Sequence, residues 1–308
     1  MSTYKVQAIS DLLTKLGEGP HWHKNNLYFI DILAKTIHRY DYGEKKVYTA
    51  NIHGISYVGF VTPVQGTDDE FVIGADQKFI HIKWDGISNE VNVVKILAEL
   101  NSENEIENRF NDGKADPKGR LYAGTMRQEK YGNAFDVEQG NFYRFDMKTK
   151  KFVHLKSKIC ISNGLAWNEK LGKFYYIDTK DQEVKEYDVN DDGDISNENV
   201  LISFKNCAEK ILPDGMTIDS DGNLWVATFG ASKVLKINTK TRKIEQEINI
   251  PAQQVTSVAF GGPNLDILYV TTAGENILGP QLPPAGATFE VSGLGVKGLP
   301  MNCVNLSD

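Results

Sequence analysis

The chain has 308 residues, 41% apolar and 24% charged, with a net charge of −7, which is ordinary for a soluble globular protein with ample material for a core. The acidic balance excludes a nucleic-acid or anionic-membrane surface, since both need a basic face and no segment is rich enough in Lys and Arg to supply one. Cys160, Cys207 and Cys303 are odd in number and have no close pairing, the pattern of a reduced intracellular protein rather than a disulfide scaffold.

The opening MSTYKVQAISDLLTKLG has no apolar signal core, and no stretch is long enough to span a bilayer. The expected address is therefore the cytosol, with the sequon at Asn305 unused. YKVQAIS reads as a strand. After it, four segments align: EGPHWHKNNLYFID from Glu18, NDGKADPKGRLYAGT from Asn111, NGLAWNEKLGKFYYID from Asn163 and DGMTIDSDGNLWVAT from Asp214. Each passes through a short, partly apolar stretch and a polar turn into a β-branched and aromatic strand, and further strands such as IHRYDY, NFYRFDM and VKEYDV follow. These are antiparallel hairpins.

The spacing sets the architecture. Asn163 lies 52 residues after Asn111 and Asp214 a further 51, while the 93 residues between Glu18 and Asn111 leave room for one more unit, roughly residues 54 to 100. A last unit runs from VTSVAFGGPNLDILYVTTAG to GATFEVSG. Six sheets of about four strands at a period of 40 to 50 residues predict an all-β, six-bladed β-propeller filling residues 1–308 as one domain, with YKVQAIS closing the last blade.

Glu18, Asn111, Asn163 and Asp214 each stand five residues before a turn-side residue, His23, Asp116, Asn168 and Asp219. They therefore form one column at the start of the innermost strand in four blades, facing the central channel. Two carboxylates and two carboxamides meeting there either hold a cation or hydrate a wet channel and cap turns. An all-oxygen donor set favours a hard divalent ion, Ca2+ ahead of Mg2+ or Mn2+, with Zn2+ also compatible through its carboxylate ligands.

Three other motifs read as structure. DVNDDGDISNEN places Asp188, Asn190, Asp192 and Gly193 as a calcium loop does, but its twelfth position is Asn199 and strands flank it, so it is a hairpin turn. GLGVKG, residues 293–298, has the glycine spacing of a dinucleotide site without the strand–helix context. His21 and His23 share one strand face but have no third histidine at a metal-binding spacing. No GxSxG elbow or Cys–His signature is present.

GEGPHW, NRFNDGKADPKGRLYAGTM, ISNGLAW, FYYID, PDGMTID, GNLWVA and FGGPNLDILYVT together resemble the family of regucalcin (senescence marker protein), the gluconolactonases and the insect luciferin-regenerating enzyme, over nearly the whole chain. The resemblance implies a six-bladed propeller with one divalent metal ion at the top of the channel, held by Glu18, Asn163 and Asp214. It implies substrate contacts from Arg109, Asn111 and Glu129, and hydrolysis of sugar lactones with Asp214 as general base. A small-molecule lactone is thus the expected partner. The alternatives are a calcium-binding regulatory protein and an enzyme of the luciferin-regenerating type acting on another small molecule. RQEKYGNAFDVEQG, after GTM, diverges from the family and is expected to form a loop over the site.

Overall fold

The computed structural model describes residues 4–307, and it resolves the alternation of turns and β-branched runs into six four-stranded antiparallel sheets. Blade 1 spans residues 17–51, blade 2 residues 58–99, blade 3 residues 108–159, blade 4 residues 162–203 and blade 5 residues 212–249. Blade 6 joins three strands between residues 255 and 292 to Lys5–Ala8, which pairs antiparallel with Phe289–Ser292. The first strands of the sheets, Gly17–His23, Val58–Pro63, Asn108–Ala115, Ser162–Asn168, Leu212–Ile218 and Val255–Gly261, touch one another in a closed ring. The protein is a six-bladed β-propeller, as the spacing predicts. No α-helix occurs among the described residues, and no helix is long and apolar enough to cross a membrane.

The core lies between blades. An apolar cluster fills each of the six junctions, built from the side chains that alternate inward along the strands. Trp22 of blade 1 stacks on Tyr269 of blade 6 at 5.4 Å, Tyr28 meets Phe71 at 4.8 Å, and Phe142 stacks on Phe174 at 5.6 Å. Trp225, in LWVAT, packs edge-on against Phe260 at 5.5 Å. Burying each such ring is worth on the order of 2–3 kcal/mol. The aromatic residues of the repeat are thus structural.

The motifs read as turns are turns. Residues 190–194 join Glu183–Val189 to Ile195–Ser203, with the Gly193 amide donating to the Asn190 carbonyl at 3.0 Å. Residues 293–298 lead to no helix. At the turn side, Asp219 accepts from the Trp225 indole at 3.0 Å and from the Asn223 amide at 2.8 Å, so its buried carboxylate is fully engaged in holding a turn.

One irregularity recurs in all six blades. Each inner strand carries a β-bulge at the same height, between Glu18 and His21, Val58 and Phe60, Phe110 and Gly113, Asn163 and Leu165, Pro213 and Met216, and Val255 and Ser257. A bulge re-aims the side chains beside it. Glycines make it fit: a Cβ on Gly164 would fall 2.8 Å from the Asp214 carbonyl oxygen, and one on Gly215 would fall 2.0 Å from Ser257 Oγ. The Asp-Gly of PDG and the Asn-Gly of SNG therefore unite a channel-facing side chain with a close approach of neighbouring blades.

Candidate active site

Strand register puts the predicted column at one height. Gly17, Phe110, Ser162 and Pro213 pair with Asp31, Thr125, Asp178 and Thr228, and the next residue in each inner strand is Glu18, Asn111, Asn163 or Asp214. In blades 2 and 6 the same height is occupied by Gly59 and Thr256, which bring no charge. All four column side chains are buried at the channel mouth.

Glu18 and Asp214 are electrostatic neighbours across the channel. Burial first, then the charge of Asp112, pushes Glu18 up to about 8. Burial, followed by the charges of Glu18 and Asp112, raises Asp214 well above the usual carboxylate range. On the other side, the Arg109 guanidinium is buried and forks onto Glu129, at 3.1 Å from Nε to Oε2 and 2.5 Å from Nη2 to Oε1. Burial pushes Glu129 up, but Arg109 outweighs it and holds the carboxyl below its ordinary value.

Arg109 Nη1 donates to Asn111 Oδ1 at 2.8 Å, and Asn111 Nδ2 donates to Asn163 Oδ1 at 3.1 Å and to the Ser162 carbonyl at 2.8 Å. Asn163 Nδ2 donates to Thr179 Oγ1 at 2.7 Å. All six residues predicted from the sequence thus stand at one channel mouth, joined by direct contacts or adjacent strands. Glu129 comes from the short 3-10 helix Glu129–Tyr131 in the segment after GTM, which reaches back to the mouth through that ion pair.

The donor set fits a hard divalent cation. It offers two neighbouring carboxyls and a carboxamide oxygen, all buried, and the acids are unfavourable in each other's company without positive charge. No cluster of three His, Cys, Asp or Glu side chains placed to hold a metal exists among the described residues, so the carboxamide of Asn163 would have to serve as the third ligand.

Residues 16–274 match the family described as SMP-30/Gluconolactonase/LRE-like region, a span that takes in the whole site. The chain belongs to this family. Bovine and human regucalcin are 34% and 35% identical to it, each over 97% of this chain and 98% of the relative. Among solved structures, a luciferin-regenerating enzyme superposes with a TM-score of 0.88 at 39% identity, covering 99% of this chain and 100% of that one. A calcium-binding regucalcin from Agrobacterium tumefaciens, at 23% identity and a TM-score of 0.84, supports the fold.

In this SMP-30/gluconolactonase-type propeller, two charged residues at the site escape a reading by columns. Asp112 follows Asn111 inside the bulge, where blades 4 and 5 have Gly164 and Gly215. Its Oδ1 accepts from the Gly113 amide at 2.8 Å, and its buried Oδ2 has no partner. An acid at a position that is glycine in blades 1, 4 and 5 was the available signal. Lys114 points across the channel beneath the acids, donating to the Leu165 carbonyl at 3.3 Å and to that of Met216. Burial lowers its pKa, against the charges of Asp112 and Glu18. At the opposite end of the channel a cavity of about 320 Å³ is lined by His21, Trp167, Thr217 and Met301. His21 is buried there, its pKa lowered to about 3 by desolvation, and His23 is only half-buried.

Proposed function

We propose that this protein is a divalent-metal-dependent hydrolase of sugar lactones working in the cytosol, with Glu18, Asn163 and Asp214 as metal ligands and Ca2+ the favoured ion. The observation that carries this reading is the convergence, at one height of the channel, of two buried carboxyls and an amide oxygen beside the Arg109–Glu129 fork. A divalent ion bound there would keep both acids ionised, polarise a carbonyl and acidify a water.

The chain's own groups supply the rest. Arg109, Asn111 and Glu129 present donors and acceptors in fixed directions, which suits the hydroxyls of a polyhydroxylated ring. Asp214 accepts the proton of the attacking water as it adds to the lactone carbonyl. The ring C–O bond then breaks, the proton passes to the departing ring oxygen, and an open-chain hydroxy acid is released. Membership of a family that includes the gluconolactonases supports this activity.

The 39% identity to a luciferin-regenerating enzyme supports a second reading, in which the substrate is another small molecule. The regucalcin relatives support a third, binding of Ca2+ without essential turnover. One experiment separates them. Purified protein should hydrolyse gluconolactone above the spontaneous rate, lose that activity in chelator and regain it with divalent metal. Full activity in a metal-free preparation sinks the proposal, and Ca2+ binding without turnover favours the third reading.

A further inference from the structure

The column contains two kinds of donor. A carboxylate presents an oxygen whichever way it turns, but the carboxamide of Asn163 offers the channel either an oxygen or an NH2, and only the oxygen can face a cation. Something must set its orientation. Hydrogen-bond polarity in the structure supplies an answer.

Thr179 is buried, at 3% exposure, in the short 3-10 helix Thr179–Asp181. Its hydroxyl donates its one proton to the Pro213 carbonyl at 2.8 Å. A carbonyl can only accept, so Thr179 Oγ1 has only lone pairs left for Asn163, at 2.7 Å. Asn163 must therefore direct Nδ2 at Thr179 and Oδ1 away from it. The other end of the relay is fixed as firmly, because a guanidinium can only donate. Arg109 Nη1 at 2.8 Å commits Asn111 Oδ1, which turns Asn111 Nδ2 towards Asn163 Oδ1 at 3.1 Å. Both ends enforce the same orientation of Asn163, and a lone pair of Oδ1 remains for the channel.

The placement is specific to this blade. The residue following the mouth-end pair is Ile32 in blade 1, Asp76 in blade 2, Met126 in blade 3, Phe229 in blade 5 and Ala273 in blade 6. A hydroxyl occurs there only in blade 4, the blade whose inner strand carries Asn163. Its acceptor belongs to Pro213, next to Asp214, so one side chain ties the amide to the backbone of the neighbouring acid.

We infer that Thr179 is a positioning residue that locks the Asn163 amide in the metal-ligating orientation and sets its spacing from Asp214. This rests on the proposed metal reading. Outer partners of this kind typically change metal affinity by about 10–100-fold.

The test is calorimetric titration of Ca2+ into the full-length protein and into Thr179→Val, Thr179→Ala and Thr179→Ser, with the thermal midpoint of each metal-free protein measured alongside. Val and Ala should weaken Ca2+ binding at least about tenfold, and Ser should stay within about threefold of the parent. If Val does not fold, the Ser–Ala contrast decides. Equal affinities for Ser and Ala, or for Val and the parent, overturn the role of Thr179. A parent protein that takes up neither Ca2+ nor, titrated in its place, Mg2+, Mn2+ or Zn2+ overturns the metal reading and this inference together, whereas a parent that binds the ion as tightly as its Val and Ala variants do overturns this inference alone.

Discussion

Glu18 and Asp214, nearly two hundred residues apart in the chain, are both buried at one mouth of the propeller channel, where the charge of Glu18 helps to raise Asp214. Two buried acids so close hold a proton readily and a divalent cation more readily still. Proton and metal therefore compete for one site.

The competition makes stability depend on pH in a definite direction. Glu18 has an ordinary value of 4.5 and is raised to about 8 in the folded protein, so the native state holds more protons than the unfolded chain between those values. Stability of the metal-free protein should accordingly fall as pH climbs through that window. Added Ca2+ should raise the melting temperature more at pH 8 than at pH 5, because at low pH it must displace protons. Thermal unfolding with and without Ca2+ at both pH values checks this. An equal shift at both would show that these carboxyls are not the ligands.

Asp214→Asn separates ligand from base. The change keeps the size and one ligating oxygen but removes the charge and the proton acceptor. At saturating metal, kcat should still fall by at least about 10²-fold, the cost typical of losing a general base or an essential electrostatic group. Full recovery of turnover at high metal would leave Asp214 a ligand only.

Arg109→Ala should leave the ion bound, since a guanidinium cannot ligate a cation, while kcat/KM for the lactone drops. Arg109→Lys should not restore it, because one ammonium cannot reproduce the fork onto Glu129 and the contact to Asn111. Unchanged kcat/KM in the alanine variant removes Arg109 from the substrate site.

Lys114→Met tests the charge beneath the acids. Two carbonyls, of Leu165 and Met216, lose their lysine donor, which should cost about 1–3 kcal/mol of stability if they are left unpaired. The same change removes a positive charge near Glu18 and Asp112, so Ca2+ should bind more tightly. Denaturant melts and calorimetry read the two effects separately, and weaker Ca2+ binding would contradict the electrostatic argument.

The architecture was legible because each blade writes the same local pattern: a polar opening, a turn, then a strand such as LYFID or LWVAT. Period-two burial is a property of the strand itself, so the repeat and its spacing of about fifty residues already imply a closed ring of sheets. The column of Glu18, Asn111, Asn163 and Asp214 was legible for the same reason, since equal offsets from a turn become equal heights in a sheet. Tertiary structure alone decided what lies beside that column. The six bulges arise where inner strands crowd at the channel, and one of them aims Asp112 inward from a position that is glycine in blades 1, 4 and 5. Lys114 gains its role only by reaching carbonyls of two other blades. Thr179 looks like any strand-end threonine until the ring brings Pro213 against it. Local periodicity fixes height along a strand, whereas contacts between blades depend on how the ring closes, and no spacing within one repeat records that.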